Sequence, residues 1–478
     1  MTRTGNDTLG IYISIPFCRS KCTYCNFASG VYPASDHARY VSRLVEDLRA
    51  ARPWAEQMRA ELPYRVDTVY LGGGTPSLLA PELIARLFVA LRAEFDLDPD
   101  AEITVECAPG QLGDETLDAL VAAGVNRVSL GAQSFIDREA AVSGRLHSRA
   151  AVLNDIARLR AAGIVNLNVD LIAGLAGQTL ASWDESLAVL ADSGVPHASV
   201  YMLEVDQDSR LGREMLAHGT RYHAELVPTD DAIAQMYTAA IDRLGQAGLE
   251  QYEISNFSRP GFHSSHNLRY WQRRPYLGLG LDASSMLHAS GFLNGQGFSR
   301  AIREPIADAA LAAEGTQEAQ SRFPQELKPS SSFAPAAARS RPCPRKETEA
   351  VSRSSDSQND YVLRSTTTDD LPAYLAGSGP VEATFYSPAQ QHEEAWFLGL
   401  RLNSGVELAA LEREFGLAMV AAGLEAVARL VEADLLVSDG KIVRLTSQGQ
   451  LLSNDVFQEF LSLAVEPPSE RYTATNVR

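Results

Sequence analysis

The stretch GIYISIPFCRSKCTYCNF, residues 10–27, runs a strand-like segment into a cysteine loop. Its first six residues alternate in period two and are rich in β-branched and aromatic side chains, which predicts a β-strand. Pro16 ends that run, and Cys18, Cys22 and Cys25 follow at C-x3-C-x2-C spacing, three of only five cysteines in 478 residues. Working outward, the opening strand is the first of a series. A helical pattern covers 35–60, then VDTVYL (66–71) and a helix over 81–95. EITVEC (102–107) precedes a helix over 114–123, NRVSLG (126–131) a helix over 148–162, and NLNVDLI (166–172) a helix over 180–193. HASVYMLE (197–204) is the sixth strand.

Strands that alternate with helices imply a parallel sheet with right-handed crossovers. Six units are fewer than the eight of a closed barrel. The expected fold class is therefore α/β, an open partial (β/α)6 barrel. Chemistry in such folds collects beyond the carboxyl ends of the strands. The unusual residues fall there: the cysteines after strand 1, GGGTP (72–76) after strand 2, and Glu106 at the end of strand 3. Gln133 follows strand 4, Asp170 lies in strand 5 and Glu204 ends strand 6.

The barrel is expected over 1–230. An extension over 231–303 holds a helix at 230–247 and a strand, EQYEISNF, at 250–257. Residues 304–361 are rich in Ser, Pro, Ala and charge, with few large apolar side chains. Such a stretch buries too little surface to offset its ordering entropy, so disorder is expected, with Cys343 incidental inside it. A connecting segment at 362–389 leads to a smaller, mostly helical C-terminal domain at 390–478. Helical patterns followed by a hairpin signal, SDGK (438–441), give it a winged-helix character.

The net charge of −18 argues against general nucleic-acid binding, and the acidic C-terminal region favours a structural or interaction role for that module. Five cysteines, three of them clustered, do not form a secreted disulfide framework. The N-terminus lacks the apolar core of a signal peptide, and no run of 18 uncharged apolar residues exists to span a membrane. A reduced, cytoplasmic, multidomain protein is expected.

Three thiolates in one loop suit two metal centres differently. Structural zinc takes four ligands. A cubane [4Fe–4S] cluster has four irons, so three cysteines leave one iron open to a non-protein ligand. Zinc with a distant fourth ligand, or three free thiols, remain alternatives. The position after strand 1 of a βα array favours the cluster.

With GGGTP beside it, this loop resembles that of the radical S-adenosylmethionine (SAM) superfamily. The resemblance implies a cluster held by Cys18, Cys22 and Cys25, whose open iron binds the amino and carboxylate groups of SAM. IYISIPFCRSKCTYCNF, YLGGGTPS, NRVSLGAQSF, GRLH and VDLIAGLAGQT narrow the match. They are similar to oxygen-independent coproporphyrinogen III oxidases and the related heme chaperones of the HemW type. That likeness implies SAM contacts at Tyr12, Gly73, Gly74, Thr75, Glu106, Gln133, Arg145 and Asp170. The oxidases carry a further cysteine where this chain has Phe27, and the chaperones share the aromatic replacement. HNLRYW (266–271) matches the H-N-x-x-Y-W motif of the chaperones, implying His266 as axial heme ligand with Tyr270 and Trp271 against the porphyrin. His263, three residues earlier, makes a different metal an alternative.

Three departures stand out: Ala108 replaces Asn in ECAP, Ala176 replaces Pro in GLAGQT, and GLDASSM (280–286) lacks the family histidine. The expected function is a heme chaperone that binds heme or porphyrin and hands it to respiratory heme proteins. An electron donor is an expected partner, and a homodimer is an option. The alternative is radical decarboxylation of coproporphyrinogen III to protoporphyrinogen IX, which Phe27 opposes, so enzymatic activity stays open. A zinc-stabilised interaction protein is the third reading.

Overall fold

Strand and helix alternate through the first two hundred residues of the computed structural model, which describes residues 8–207, 209–290, 360–377 and 379–461. The order is β1 (Leu9–Ile15), α1 (Ala34–Gln57), β2 (Arg65–Gly73), α2 (Pro81–Glu94), β3 (Asp96–Cys107), α3 (Asp114–Ala122), β4 (Arg127–Gln133), α4 (Asp137–Val142), α5 (Arg149–Ala161), β5 (Asn166–Ala173), α6 (Leu180–Ser193) and β6 (His197–Met202). The six strands pair in chain order and all run parallel. Only the short α4 is an addition to the expected pattern.

Each strand sorts its side chains by parity, as a pleated sheet demands. Leu9, Ile11, Ile13 and Ile15 of β1 are fully enclosed in the apolar core with Leu44, Leu48 and Leu87 of the helices. The alternate positions are polar and hydrogen-bond to one another across strands: Tyr70 to Glu106, Ser129 to Asp170, and Asn168 to Ser199. The barrel is therefore greasy outside, under its helices, and polar inside.

After α7 (Arg210–Leu216) and α8 (Asp230–Gln246), the single strand expected over 250–257 is instead a hairpin. Its arms are β7 (Glu250–Glu253) and β8 (Asn256–Ser258), and β8 lies antiparallel to β6. Helix α9 (Ser265–Trp271) carries the HNLRYW motif. At the opposite edge, β9 (Tyr276–Leu279) pairs parallel with β1. The antiparallel strands β10 (Ser284–Ser290), β11 (Asp360–Thr367) and β12 (Pro380–Tyr386) continue the sheet to twelve strands. The 362–389 region is thus no mere connection. Its Leu363, Ala383 and Phe385 belong to the barrel's own core. The expected disordered stretch lies outside the described residues, save Asp360 and Tyr361, which open β11.

The C-terminal unit has a separate core. Helices Pro388–Leu400, Leu408–Phe415 and Leu417–Glu432 pack with a small sheet of β13 (Val406–Glu407), β14 (Leu436–Ser438) and β15 (Ile442–Leu445) around Trp396, which stacks on Phe460 at 5.1 Å. Asp439 accepts the Lys441 and Ile442 amides at 2.9 and 2.8 Å, closing the hairpin turn read from SDGK.

Candidate cofactor site

The cysteine loop leaves β1 at Pro16 and is tied down at both ends. The Cys18 amide donates to the Gly30 carbonyl at 2.8 Å, and the Gly30 amide returns to Pro16 at 2.9 Å. Its middle is fixed from outside: the Thr23 amide donates to Ser143 O at 3.1 Å, and the Leu211 amide to Thr23 O at 2.9 Å. Cys18, Cys22 and Cys25 are all partly exposed, as reactive thiols must be. Burial pushes the Cys18 thiol up, and the charges of Cys25 and Cys22 push the same way. Among the described residues, no group of three or more His, Cys, Asp or Glu side chains is arranged to hold a metal ion. A cubane takes one thiolate at each of three irons, so its ligands stand further apart than those of a single ion. Phe27 follows two residues on, 62% exposed, pointing no sulfur at the site.

The glycine turn is laced onto the same strand end. Gly74 donates to Ile15 O and Thr75 to Phe17 O, each at 2.8 Å. A side chain at Gly74 would sit 2.7 Å from the Phe17 carbonyl, and Gly73 has φ of 103°. Glycine is required at both places, one for approach and one for conformation. The turn therefore stands directly beside Cys18.

Below it lie the acidic groups. Glu106 accepts from the Tyr70 hydroxyl at 2.9 Å and the Gly73 amide at 3.1 Å. Burial and the charge of Asp170 push its carboxyl up to about 7. Asp170 accepts from Ser129 at 3.0 Å and Asn168 at 2.7 Å, and burial raises it also. Tyr12 stacks on Tyr70 with ring centroids 6.1 Å apart. On the far side, Arg145 donates to the Tyr24 hydroxyl at 3.0 Å. Arg145 Nε and Gln133 Oε1 are buried without a partner, and Gln133 holds φ of 66°. Buried orphans of both polarities, in a site that also offers two carboxylates, ask for a ligand carrying donors and an anion. The ammonium, hydroxyls and carboxylate of SAM are such a set, so these residues fit it.

The sequence-predicted residues of the first five strand ends are thus gathered, while Glu204 lies exposed beyond the end of β6, and His266 stands apart. His266 lies in α9 against β2, 1% exposed. Its Nδ1 bonds Thr68 Oγ1 at 2.9 Å and its Nε2 the Tyr270 hydroxyl at 2.8 Å. Burial pushes its imidazole down to about 3. Both nitrogens are engaged by hydroxyls, so the ring's one lone pair would reach an external iron only if its hydroxyl partner turned away. The residue expected as heme ligand is, as the chain stands, a buried link between α9 and β2. Trp271 does not accompany it; its ring lies under Arg401 of the C-terminal unit at 4.2 Å. Tyr70, Ser129, Asn168 and Tyr24 were absent from the sequence expectation. The first three share the inward parity of Glu106 and Asp170, which is the signal that marks them.

Residues 12–190 match the model of the radical SAM superfamily, and 386–452 that of the HemN C-terminal domain. Heme chaperone HemW of Haemophilus influenzae is 31% identical over 304 residues, covering 60% of this chain and 76% of that protein. HemW of Lactococcus lactis is 29% identical over 450 residues, covering 94% and 96%. The chain belongs to the HemW family of radical SAM proteins. Coproporphyrinogen III oxidase (HemN) from Escherichia coli shares the fold, with a TM-score of 0.70 at 19% identity over 96% of this chain and 91% of the other. Membership of the radical SAM superfamily implies a [4Fe–4S] cluster and SAM as cofactors. No helix among the described residues of this HemW-family chain is long and apolar enough to cross a membrane.

Proposed function

We propose that this chain is a heme chaperone: it binds heme and delivers it to respiratory heme proteins, with a [4Fe–4S] cluster and SAM bound at the barrel mouth. The observation that carries the reading is the likeness to HemW proteins over most of their length, joined to Phe27 at the position of the oxidases' additional cysteine. Cys18, Cys22 and Cys25 hold the cluster. Gly73, Gly74 and Thr75 supply the backbone at the SAM ammonium, and Arg145 pairs with its carboxylate. Glu106, Gln133 and Asp170 take its remaining polar groups, and Tyr12 walls the pocket. When bound, the reduced cluster and SAM together furnish one-electron chemistry, for which an electron donor is required. The protein's part is to orient the cofactor: Glu106 fixes the Gly73 amide, and Tyr24 fixes the Arg145 guanidinium.

The test starts from anaerobically reconstituted chain loaded with hemin and mixed with apomyoglobin. Transfer, seen as growth of the myoglobin Soret band, is expected. Failure to bind hemin, or conversion of coproporphyrinogen III to protoporphyrinogen IX by the reduced, SAM-supplied chain, would defeat the chaperone reading, the second in favour of the oxidase.

A further inference from the structure

A cavity of about 520 Å³ opens beside the cysteine loop, where the first turns of α1, α2 and α3 meet. That size lies within the usual range of small-molecule sites, about 300–1,000 Å³. Its lining carries both charges. Arg19, between the first two cluster cysteines, reaches it, and so does Glu82 in the first turn of α2. Leu78, Leu79 and Leu83 make one side aliphatic.

The polar groups of the lining fall into two sets. One set donates. Arg19 is exposed, with no ion pair among the described residues. Pro33, Ala80 and Gly113 begin α1, α2 and α3, and none of them caps its helix with a side chain. First-turn amides lack intrahelical partners and carry partial positive charge, so three such ends on one cavity favour an anion there. Ser77, 3% exposed on the same lining, adds a buried hydroxyl with no nitrogen or oxygen partner; the thiol of Cys107, a weak acceptor, lies beside it. The other set accepts. Glu82 is exposed with no ion pair among the described residues, and Gln111 Oε1 is buried without a partner.

We infer that this cavity is a seat for a free aliphatic α-amino acid. The carboxylate goes to Arg19, the Ser77 hydroxyl and the uncapped amides, and the ammonium to Glu82 and Gln111 Oε1. The side chain lies on the leucines. A plain anion would leave Glu82 and Gln111 Oε1 unanswered, and a plain amine would leave Arg19 and the helix ends unanswered. A zwitterion with a short apolar tail answers both sets at once. A single aliphatic side suits a chain of a few carbons, not a large flat ring. Because Arg19 lies between Cys18 and Cys22, an occupant also holds the outer side of the cluster loop. The seat stands apart from the chaperone reading, and its test contains no heme.

The test is calorimetric titration of the full, heme-free chain with L-leucine and L-methionine. Saturable binding of both is expected. N-acetyl-L-leucine lacks the ammonium and L-leucinamide lacks the carboxylate. Each should bind about tenfold more weakly, the loss of one charge-assisted contact. Glycine, with no side chain to lay on the leucines, should bind several-fold more weakly. Glu82→Gln should narrow the preference for L-leucine over N-acetyl-L-leucine, and Arg19→Ala the preference over L-leucinamide. Both side chains are exposed, so both variants should melt as the parent does. Absence of saturable heat from either amino acid would overturn the seat. So would equal affinity for L-leucine and its two blocked analogues. Discrimination unchanged from the parent in either variant would place the bound amino acid elsewhere and overturn it too.

Discussion

The Gly73 amide donates to Glu106 Oε2 at 3.1 Å, so the glycine turn after β2 is held by the carboxylate of β3. The other oxygen takes the Tyr70 hydroxyl. Two donors favour the anion, yet burial and Asp170 outweigh them and leave the carboxyl near 7. The site is therefore poised: a cationic ligand arriving between Glu106 and Asp170 would offset the burial, and the repulsion by Asp170, that raised it.

That balance makes stability depend on pH. A carboxyl raised from 4.5 to about 7 contributes stability that is full below about 4.5 and lost as pH rises through about 7. Glu106→Gln keeps the shape and removes the charge. In cofactor-free protein its melting temperature should equal the parent's or lie below it near pH 5. Near pH 8 it should exceed the parent's by a few degrees, reflecting up to roughly 3 kcal/mol. A variant no more stable than the parent near pH 8 would refute the assignment.

Gly74 is the tightest point of the turn. Its neighbours at 2.7 and 2.9 Å are backbone atoms of Phe17 and Ile15, which cannot swing aside. Gly74→Ala should cost about 1–3 kcal/mol by urea denaturation. It should also lower iron content, because the displaced residue adjoins Cys18. Full iron loading in a folded variant would contradict the coupling of turn and loop.

The cysteines divide by place. Substituting Ser for Cys18, Cys22 or Cys25 should abolish the broad absorption near 400 nm after reconstitution. Cys107→Ser should retain it, because Cys107 is buried on β3 with its thiol pushed up to about 12. Iron and sulfide assays on the four variants decide the point.

Much of this was readable from sequence, for a physical reason. β1 to β6 are local: each strand carries its own period-two pattern, and each crossover helix its own 3.6-residue period. Glu106 and Asp170 were readable because they interrupt apolar strands at inward positions. The return of β11 and β12 was not, because Ser284–Ser290 pairs with a strand some seventy residues later and no local signal states that register. Nor was the burial of His266: a seven-residue helix does not show from sequence which face meets the sheet.

Arg145 sits deep, donating to Tyr24 while its Nε has no partner. A lysine there keeps the charge but loses the planar fork. Arg145→Lys should weaken SAM binding about tenfold or more by calorimetry and leave iron content intact. Tyr24→Phe should give a smaller loss, since the guanidinium remains but is less fixed. Equal affinity in the lysine variant would remove Arg145 from the carboxylate contact.

His266 ties α9 to the barrel interior. Thr68 lies at one ring nitrogen and Tyr270 at the other, and the backbone amide of His266 is taken by Glu102 Oε1 at 2.9 Å. Beside it, the buried Arg269 guanidinium is paired with Asp67. This helix is therefore fastened by side chains at several points, and its outer end reaches the C-terminal unit through Trp271 and Arg401. Removing the ring leaves two hydroxyls unpartnered and a void. His266→Ala should lose about 2–4 kcal/mol in urea. The folded variant should keep the parent's hemin affinity. An exposed axial ligand would behave in the opposite way, changing the Soret spectrum with little loss of stability, so the two measurements on one variant separate a cross-link from a heme ligand.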